Sequence, residues 1–122
     1  MKGISKVVVF AVLAMFVASC GMIVKQIDWD ANAKDYQGKT GQKFTFEVKG
    51  GGMAGSVWGT DVYTLDSSLG TAAVHAGIIT FEKGGKFTIE IKAGADSYIG
   101  SDRNGVSSGS WGSYDGSYVF VK

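Results

Sequence analysis

The chain holds one histidine, His75, and one cysteine, Cys20. A reaction run from an imidazole base or a thiolate would have to start at one of these. His75 lies in Thr71-Ala72-Ala73-Val74-His75-Ala76, among small and apolar residues, and reads as a structural core histidine. No Gly-x-Ser-x-Gly turn presents a serine to it. A metal centre there would need further nitrogen or sulfur ligands. Three stretches echo loops that bind phosphate or cations. Gly50-Gly51-Gly52-Met53-Ala54-Gly55 has the letters of the dinucleotide fingerprint, but Ser56-Val57-Trp58-Gly59 follows instead of a helix whose N-terminus could hold pyrophosphate. Gly38-Lys39-Thr40 ends like a P-loop, yet Ala33 stands for the first glycine, no strand precedes it, and Gly41-Gln42 starts no helix. Asp28-Trp29-Asp30-Ala31-Asn32 opens like a calcium loop. Ala33 then occupies the position that needs glycine for the turn, and Lys39 the position that needs a bidentate glutamate. The 11 acidic residues are scattered, with no recognisable pair for glycoside hydrolysis. The expectation is a protein that is not an enzyme, with no cofactor and no metal. A hydrolase using His75 ranks last among the functions considered.

Side chains that could hold a ligand lie late in the chain. Ala93 to Ser113 contains Gly94, Gly100, Gly105, Gly109 and Gly112 and reads as loop, where residues are free to specialise. Arg103 and Asn104 could bond a polar headgroup or a sugar there, and Trp111 and Tyr114 could stack on sugar faces. The competing reading packs Trp111 and Tyr114 against the last strand.

The elements that must position these residues are read from periodicity. Lys43-Phe44-Thr45-Phe46-Glu47-Val48-Lys49 alternates strictly, with Phe44, Phe46 and Val48 on one face, and predicts a half-buried strand ended by Gly50-Gly51-Gly52. Asp66 or Ser67 can cap a short helix. Leu69, Ala72, Ala73 and Ala76 share one face of it, and Gly77 fits the left-handed stop. Its small side chains predict a buried helix wrapped by strands. Ile78–Glu82 and Lys86–Ile91 flank Lys83-Gly84-Gly85 and read as a hairpin, with Phe87, Ile89 and Ile91 inward. Arg103-Asn104-Gly105 signals a turn. Ser117–Val121 reads as a last strand. The predicted fold class is α+β, with about five or six short strands around one short helix.

The totals agree with one domain and exclude one partner class. The chain has 122 residues, 45% of them hydrophobic, with 19 glycines and no proline. This is globular, turn-rich material. Its net charge is +1, and no basic face suited to nucleic acid is apparent.

The N-terminus reads as an export signal. Lys2 and Lys6 make a positive start, and Val7–Val17 is an eleven-residue apolar run, too short for a membrane span and the right length for a signal core. Val17-Ala18-Ser19-Cys20 resembles the bacterial lipobox. The resemblance implies a signal peptide over residues 1–19, cleavage before Cys20, and a Cys20 thiol carrying diacylglycerol in a palmitate-bearing membrane anchor. It also explains a cysteine with no intrachain partner. Loss of Lys2 and Lys6 takes the net charge from +1 to −1. Gly21, by similarity to enterobacterial lipoproteins, implies the outer membrane of the cell envelope. Residues 20–28 read as a lipidated tether and 29–122 as the domain.

Within that domain, Trp58-Gly59-Thr60-Asp61-Val62-Tyr63-Thr64, Asp66-Ser67-Ser68 and Ala72-Ala73-Val74-His75-Ala76-Gly77 resemble the LCCL domain family. The likeness runs on through Gly84-Gly85, Tyr98-Ile99-Gly100-Ser101, Asn104-Gly105-Val106-Ser107-Ser108 and Ser117-Tyr118-Val119-Phe120. It implies a central helix enclosed by strands, with Trp58, Tyr63 and His75 structural. The family's cysteines fall near Val48 or Lys49 and at Gly70, where this chain has none. A missing bridge typically costs about 2–4 kcal/mol, and the expectation is that Val48 fills the space above Gly70. The resemblance implies a non-catalytic binding module for lipopolysaccharide, other glycans or lipid headgroups. The alternative is a structural or protein-binding lipoprotein of the envelope.

Overall fold

The computed structural model describes residues 23–53 and 55–122. The expected signal peptide over residues 1–19 and Cys20 lie outside the described residues. In chain order the elements are β1 (Val24–Gln26), a 3-10 turn (Lys34–Tyr36), β2 (Lys43–Lys49), β3 (Gly59–Thr60), β4 (Val62–Thr64), α1 (Leu69–His75), β5 (Gly84–Ala95), β6 (Asp102–Arg103), β7 (Val106–Ser107) and β8 (Tyr114–Phe120). Six strands form one open sheet in the order β1-β2-β5-β8-β4-β3, and β6 and β7 make a separate ribbon. The β1–β2 pair is parallel and every other pair is antiparallel. Among the described residues the fold is mostly β with one short α-helix, consistent with the α+β reading; eight strands stand where about five or six short ones were expected.

The alternation in β2 sets the core face. Phe46 and Val48 are buried and Phe44 is half-buried; they meet Phe87, Ile89 and Ile91 of β5 and Tyr118 and Phe120 of β8. All seven residues of α1 are buried. Leu69, Ala72, Ala73 and Val74 join the same apolar cluster, which the small side chains allow. The helix ends as its sequence suggests. Gly77 has φ +85°, its N–H donates to the Val74 carbonyl, and the Ile78 N–H donates to the Ala73 carbonyl. This pairing satisfies the otherwise orphaned last carbonyls.

Four local expectations are corrected. Asp66 and Ser67 do not cap the helix; Ser68 is the N-cap residue and makes no side-chain cap bond. The Ser67 hydroxyl instead accepts from the Trp58 N–H at 2.9 Å, and the Ser68 hydroxyl donates to the Trp29 carbonyl. Ile78–Glu82 is not a strand. Phe81 offers its carbonyl to the N–H groups of Gly51 and Gly52, and only Thr80 bridges, to Gly84. The true partner of Lys86–Ile91 is β2, in the register Lys43↔Glu90 to Lys49↔Gly84. Val24–Gln26, expected in the tether, form β1 against Thr45–Glu47. The last strand begins at Tyr114, three residues before the expected Ser117.

The space at Gly70 is filled by two side chains, not one. A Cβ at Gly70 would lie 3.4 Å from Val48 Cγ1, as the sequence reading proposed, but 2.8 Å from Trp29 Cε3. The Trp29 indole is pinned there. Its Nε1–H donates to the Lys49 carbonyl at 2.7 Å, and its ring lies 5.2 Å from that of Phe81.

Candidate functional site

His75 is fully buried and bonded at both ring nitrogens. Nε2 lies 3.0 Å from the Ser101 carbonyl, which can only accept, so Nε2 carries the proton. Nδ1 then accepts from the Tyr63 hydroxyl at 2.9 Å. Tyr63 is also fully buried, with its ring edge-on to His75. Burial pushes the Tyr63 hydroxyl above its ordinary pKa, and still further for fully buried Tyr118, which donates to the Ser67 carbonyl. This network ties α1 to β4 and to the loop at Ser101. The His75 and Tyr63 side chains are shut off from solvent.

Arg103 and Asn104 flank the tip of the β6–β7 ribbon. Asn104 (φ +52°) and Gly105 (φ +80°) form the two-residue turn, both left-handed as a tight hairpin requires. Their side chains are engaged. The Arg103 guanidinium grips Asp61 through two bonds of 2.9 Å. This fork holds the Asp61 carboxyl below its ordinary pKa, through its hydrogen bonds foremost and against an opposing effect of burial. Asn104 Nδ2 donates to the His75 carbonyl at 2.9 Å, on the last turn of α1. Both residues fasten the ribbon to the helix and to the β3–β4 turn.

Trp111 and Tyr114 part company. Tyr114 begins β8, half-buried and packed on the apolar cluster. Trp111 is 51% exposed, and its ring stands T-shaped to Trp58, with centroids 6.0 Å apart. Trp58, read from the sequence as core, is half-buried at this surface. The loop that carries Trp111 is held by backbone bonds. Trp111 and Tyr98 exchange both N–H···O bonds at 2.7 and 2.9 Å, Gly109 N–H donates to the Val57 carbonyl, and Gly59 N–H donates to the Gly109 carbonyl. Gly109 fits against the Trp58 ring, where a Cβ would sit 3.1 Å from Cδ1. Tyr98 is buried, its hydroxyl 2.6 Å from Ser117 Oγ. The result is a rigid, solvent-facing indole backed by a second one, a surface suited to stacking on an apolar ring face. Ser110, beside it, is exposed and accepts from the Gly100 N–H. The sequence reading missed the Trp58–Trp111 pair and the Asp61–Arg103 fork, since both join residues about forty or more positions apart with no local signal.

A cleft of about 650 Å³ lies elsewhere, lined by Lys25, Asp28, Trp29, Asp30, Asp35 and Lys49 among others. Its three carboxylates share the lining with Lys25 and Lys49, so the cleft has no strong charge preference for a ligand. Among the described residues no group of three or more His, Cys, Asp or Glu could hold a metal ion. No helix among them is long and apolar enough to cross a membrane.

Comparison with known proteins fits this arrangement. The chain is 33% identical over 86 residues to clotting factor C of Tachypleus tridentatus, covering 69% of this chain and 8% of that protein. It is 45% identical over 56 residues to human cysteine-rich secretory protein LCCL domain-containing 2, covering 46% and 11%. It is 48% identical over 52 residues to human vitrin, covering 43% and 8%. The aligned stretch is thus a small part of each relative. Residues 23–118 match the LCCL domain, from the first sheet strand to within two residues of the end of the last, and the chain belongs to the LCCL domain family.

Proposed function

We propose that this protein is a non-catalytic binding module of the bacterial cell envelope, anchored in the outer membrane through acylated Cys20, whose Trp58–Trp111 face binds a glycan. The observation that carries the reading is the exposed Trp111 indole, braced by Trp58 on a loop whose backbone is already fixed. A ligand meeting a preformed surface loses little to ordering it. Membership of the LCCL domain family supports binding over catalysis, and the lipobox-like Val17-Ala18-Ser19-Cys20 supports the anchor. Envelope glycans present apolar sugar faces that stack on indoles and hydroxyls that bond polar rims.

The test is saturation binding to peptidoglycan fragments and lipopolysaccharide core oligosaccharides. Trp111→Ala lowers affinity at least about tenfold, or ~1.4 kcal/mol. Trp111 is half exposed and loses its ring contact with Trp58, so folding stability falls by only about 0.5–1.5 kcal/mol and the variant stays folded. Unchanged affinity would remove Trp111 from the site. Absence of glycan binding by the unaltered protein would favour a protein partner instead, for which the β1 edge of the sheet is available.

A further inference from the structure

The two edge strands of the sheet differ: β3 is covered by the loop at Gly109, which bonds Gly59 and Val57, whereas β1 has no such partner among the described residues. At the β3 edge sits the Trp58–Trp111 face. At the β1 edge, a groove of about 610 Å³ is lined by Ile23, Lys25, Tyr36, Lys43 and Phe44 among others. Ile23 is 87% exposed. The Tyr36 ring lies 4.2 Å from that of Phe44 and leaves an apolar floor. Lys25 and Lys43 are exposed, and neither has an ion-pair partner among the described residues. The nearby carboxylates are otherwise engaged: Gln26 donates to Glu47, and Lys92 pairs with Glu90. The adjoining cleft sets Asp28, Asp30 and Asp35 against Lys25 and Lys49, whereas Lys25 and Lys43 are the only charged side chains among the described residues that line the groove, so charge favours the groove for an anionic partner.

We propose that the β1 edge is a membrane-docking face: Ile23 and the Tyr36–Phe44 groove rest on an anionic lipid surface, with Lys25 and Lys43 over its headgroups. This rests on the reading of Cys20 as acylated. Three peptide steps separate Cys20 from Ile23 and reach at most about 11 Å, so an anchored chain must hold this edge at the lipid. Unpaired lysines beside an anchor are drawn to anionic headgroups. Six strands leave five gaps of about 4.8 Å, placing the β3 edge roughly 24 Å across the sheet. The orientation therefore turns the Trp58–Trp111 face away from its own membrane, toward ligands in the adjoining space.

The experiment uses the full chain, produced with its signal and reconstituted in lipid nanodiscs that carry a gadolinium headgroup probe. One disc set is phosphatidylcholine and the other contains a quarter phosphatidylglycerol. Mass analysis of the N-terminal peptide first reports acylation at Cys20. In anionic discs the amide signals of Ile23, Lys25, Lys43 and Phe44 are lost to paramagnetic broadening, while the Trp58 and Trp111 indole signals persist. The double variant Lys25→Glu, Lys43→Glu restores the lost signals with the rest of the spectrum unchanged. Uniform broadening, or broadening strongest at Trp58 and Trp111, in acylated protein would overturn the docking face while leaving the anchor intact. Concentration-dependent change at the groove that ignores lipid charge would assign it to a second copy of the chain and also overturn the proposal. An unmodified Cys20 would remove the anchor and the docking face together.

Discussion

Replacing Gly70 by alanine tests the packing that stands where the family carries a disulfide. An alanine in a helix is ordinarily favourable over glycine, by about 0.8–1 kcal/mol. At Gly70 its methyl would lie 2.8 Å from Trp29 Cε3 and 3.4 Å from Val48 Cγ1. The second distance is ordinary contact and the first is a clash. Trp29 has little room to yield, because its Nε1–H is bonded to the Lys49 carbonyl, Phe81 borders its ring, and a Cβ on Gly52 would also collide with it. Overpacking of this kind costs about 1–3 kcal/mol. The net expectation for Gly70→Ala is a loss of up to about 2 kcal/mol once the helix gain is subtracted. In a domain of this size that lowers Tm by up to roughly 15 °C. Urea unfolding followed by tryptophan fluorescence, with calorimetry beside it, measures both. In a Trp29→Leu background the clash is gone, and the same Gly70→Ala change becomes neutral or stabilising. A Gly70→Ala change that stabilises with Trp29 in place, or that has the same effect in the Trp29→Leu background, would refute the close packing.

His75→Ala removes the partner of the buried Tyr63 hydroxyl and of the Ser101 carbonyl and leaves a cavity; stability falls by about 2–4 kcal/mol in urea unfolding. Asp61→Asn keeps a residue that tolerates the left-handed backbone at φ +67° but loses the Arg103 fork. Asp61 has a lowered pKa in the folded state, so its contribution is present above the unfolded value of about 3.9 and is lost as pH falls through the folded value. The Tm difference between the unaltered protein and Asp61→Asn is therefore full at neutral pH and closes below about pH 4; a difference independent of pH would contradict the pairing. Cys20→Ala is expected to leave an uncleaved or mislocalised precursor, followed by palmitate labelling and membrane fractionation.

Elements carried by local pattern were legible before the structure. The strict alternation around Phe44, Phe46 and Val48 marked β2, and the small-residue face with Gly77 marked α1, because period and stop signal are written within a few residues. Asn104-Gly105 marked the ribbon turn for the same reason. Ile78–Glu82 misled because apolar character near a glycine pair resembles a hairpin arm. The backbone there bonds instead to the Gly51–Gly52 loop, a contact fixed by the fold. Strand β1 carries only Val24-Lys25-Gln26 and gains its strand character from parallel pairing with a distant partner. The candidate site was half legible. Trp111 was singled out, but its neighbour is Trp58, brought close by the Trp58–Gly109 bridge, while Arg103 and Asn104 serve the fold. Residue type announces what a side chain could do; non-local pairing decides whether it is free to do it.

The most direct measurement uses the three indole N–H signals of Trp29, Trp58 and Trp111 in a titration with peptidoglycan fragments and lipopolysaccharide core oligosaccharides. Trp29 lines the separate cleft beside Asp28 and Lys49 and serves as the control indole. The expected result is saturable shifts of Trp58 and Trp111 with Trp29 unmoved. Shifts confined to Trp29, or none at all in a folded sample, would contradict a glycan site at the Trp58–Trp111 face.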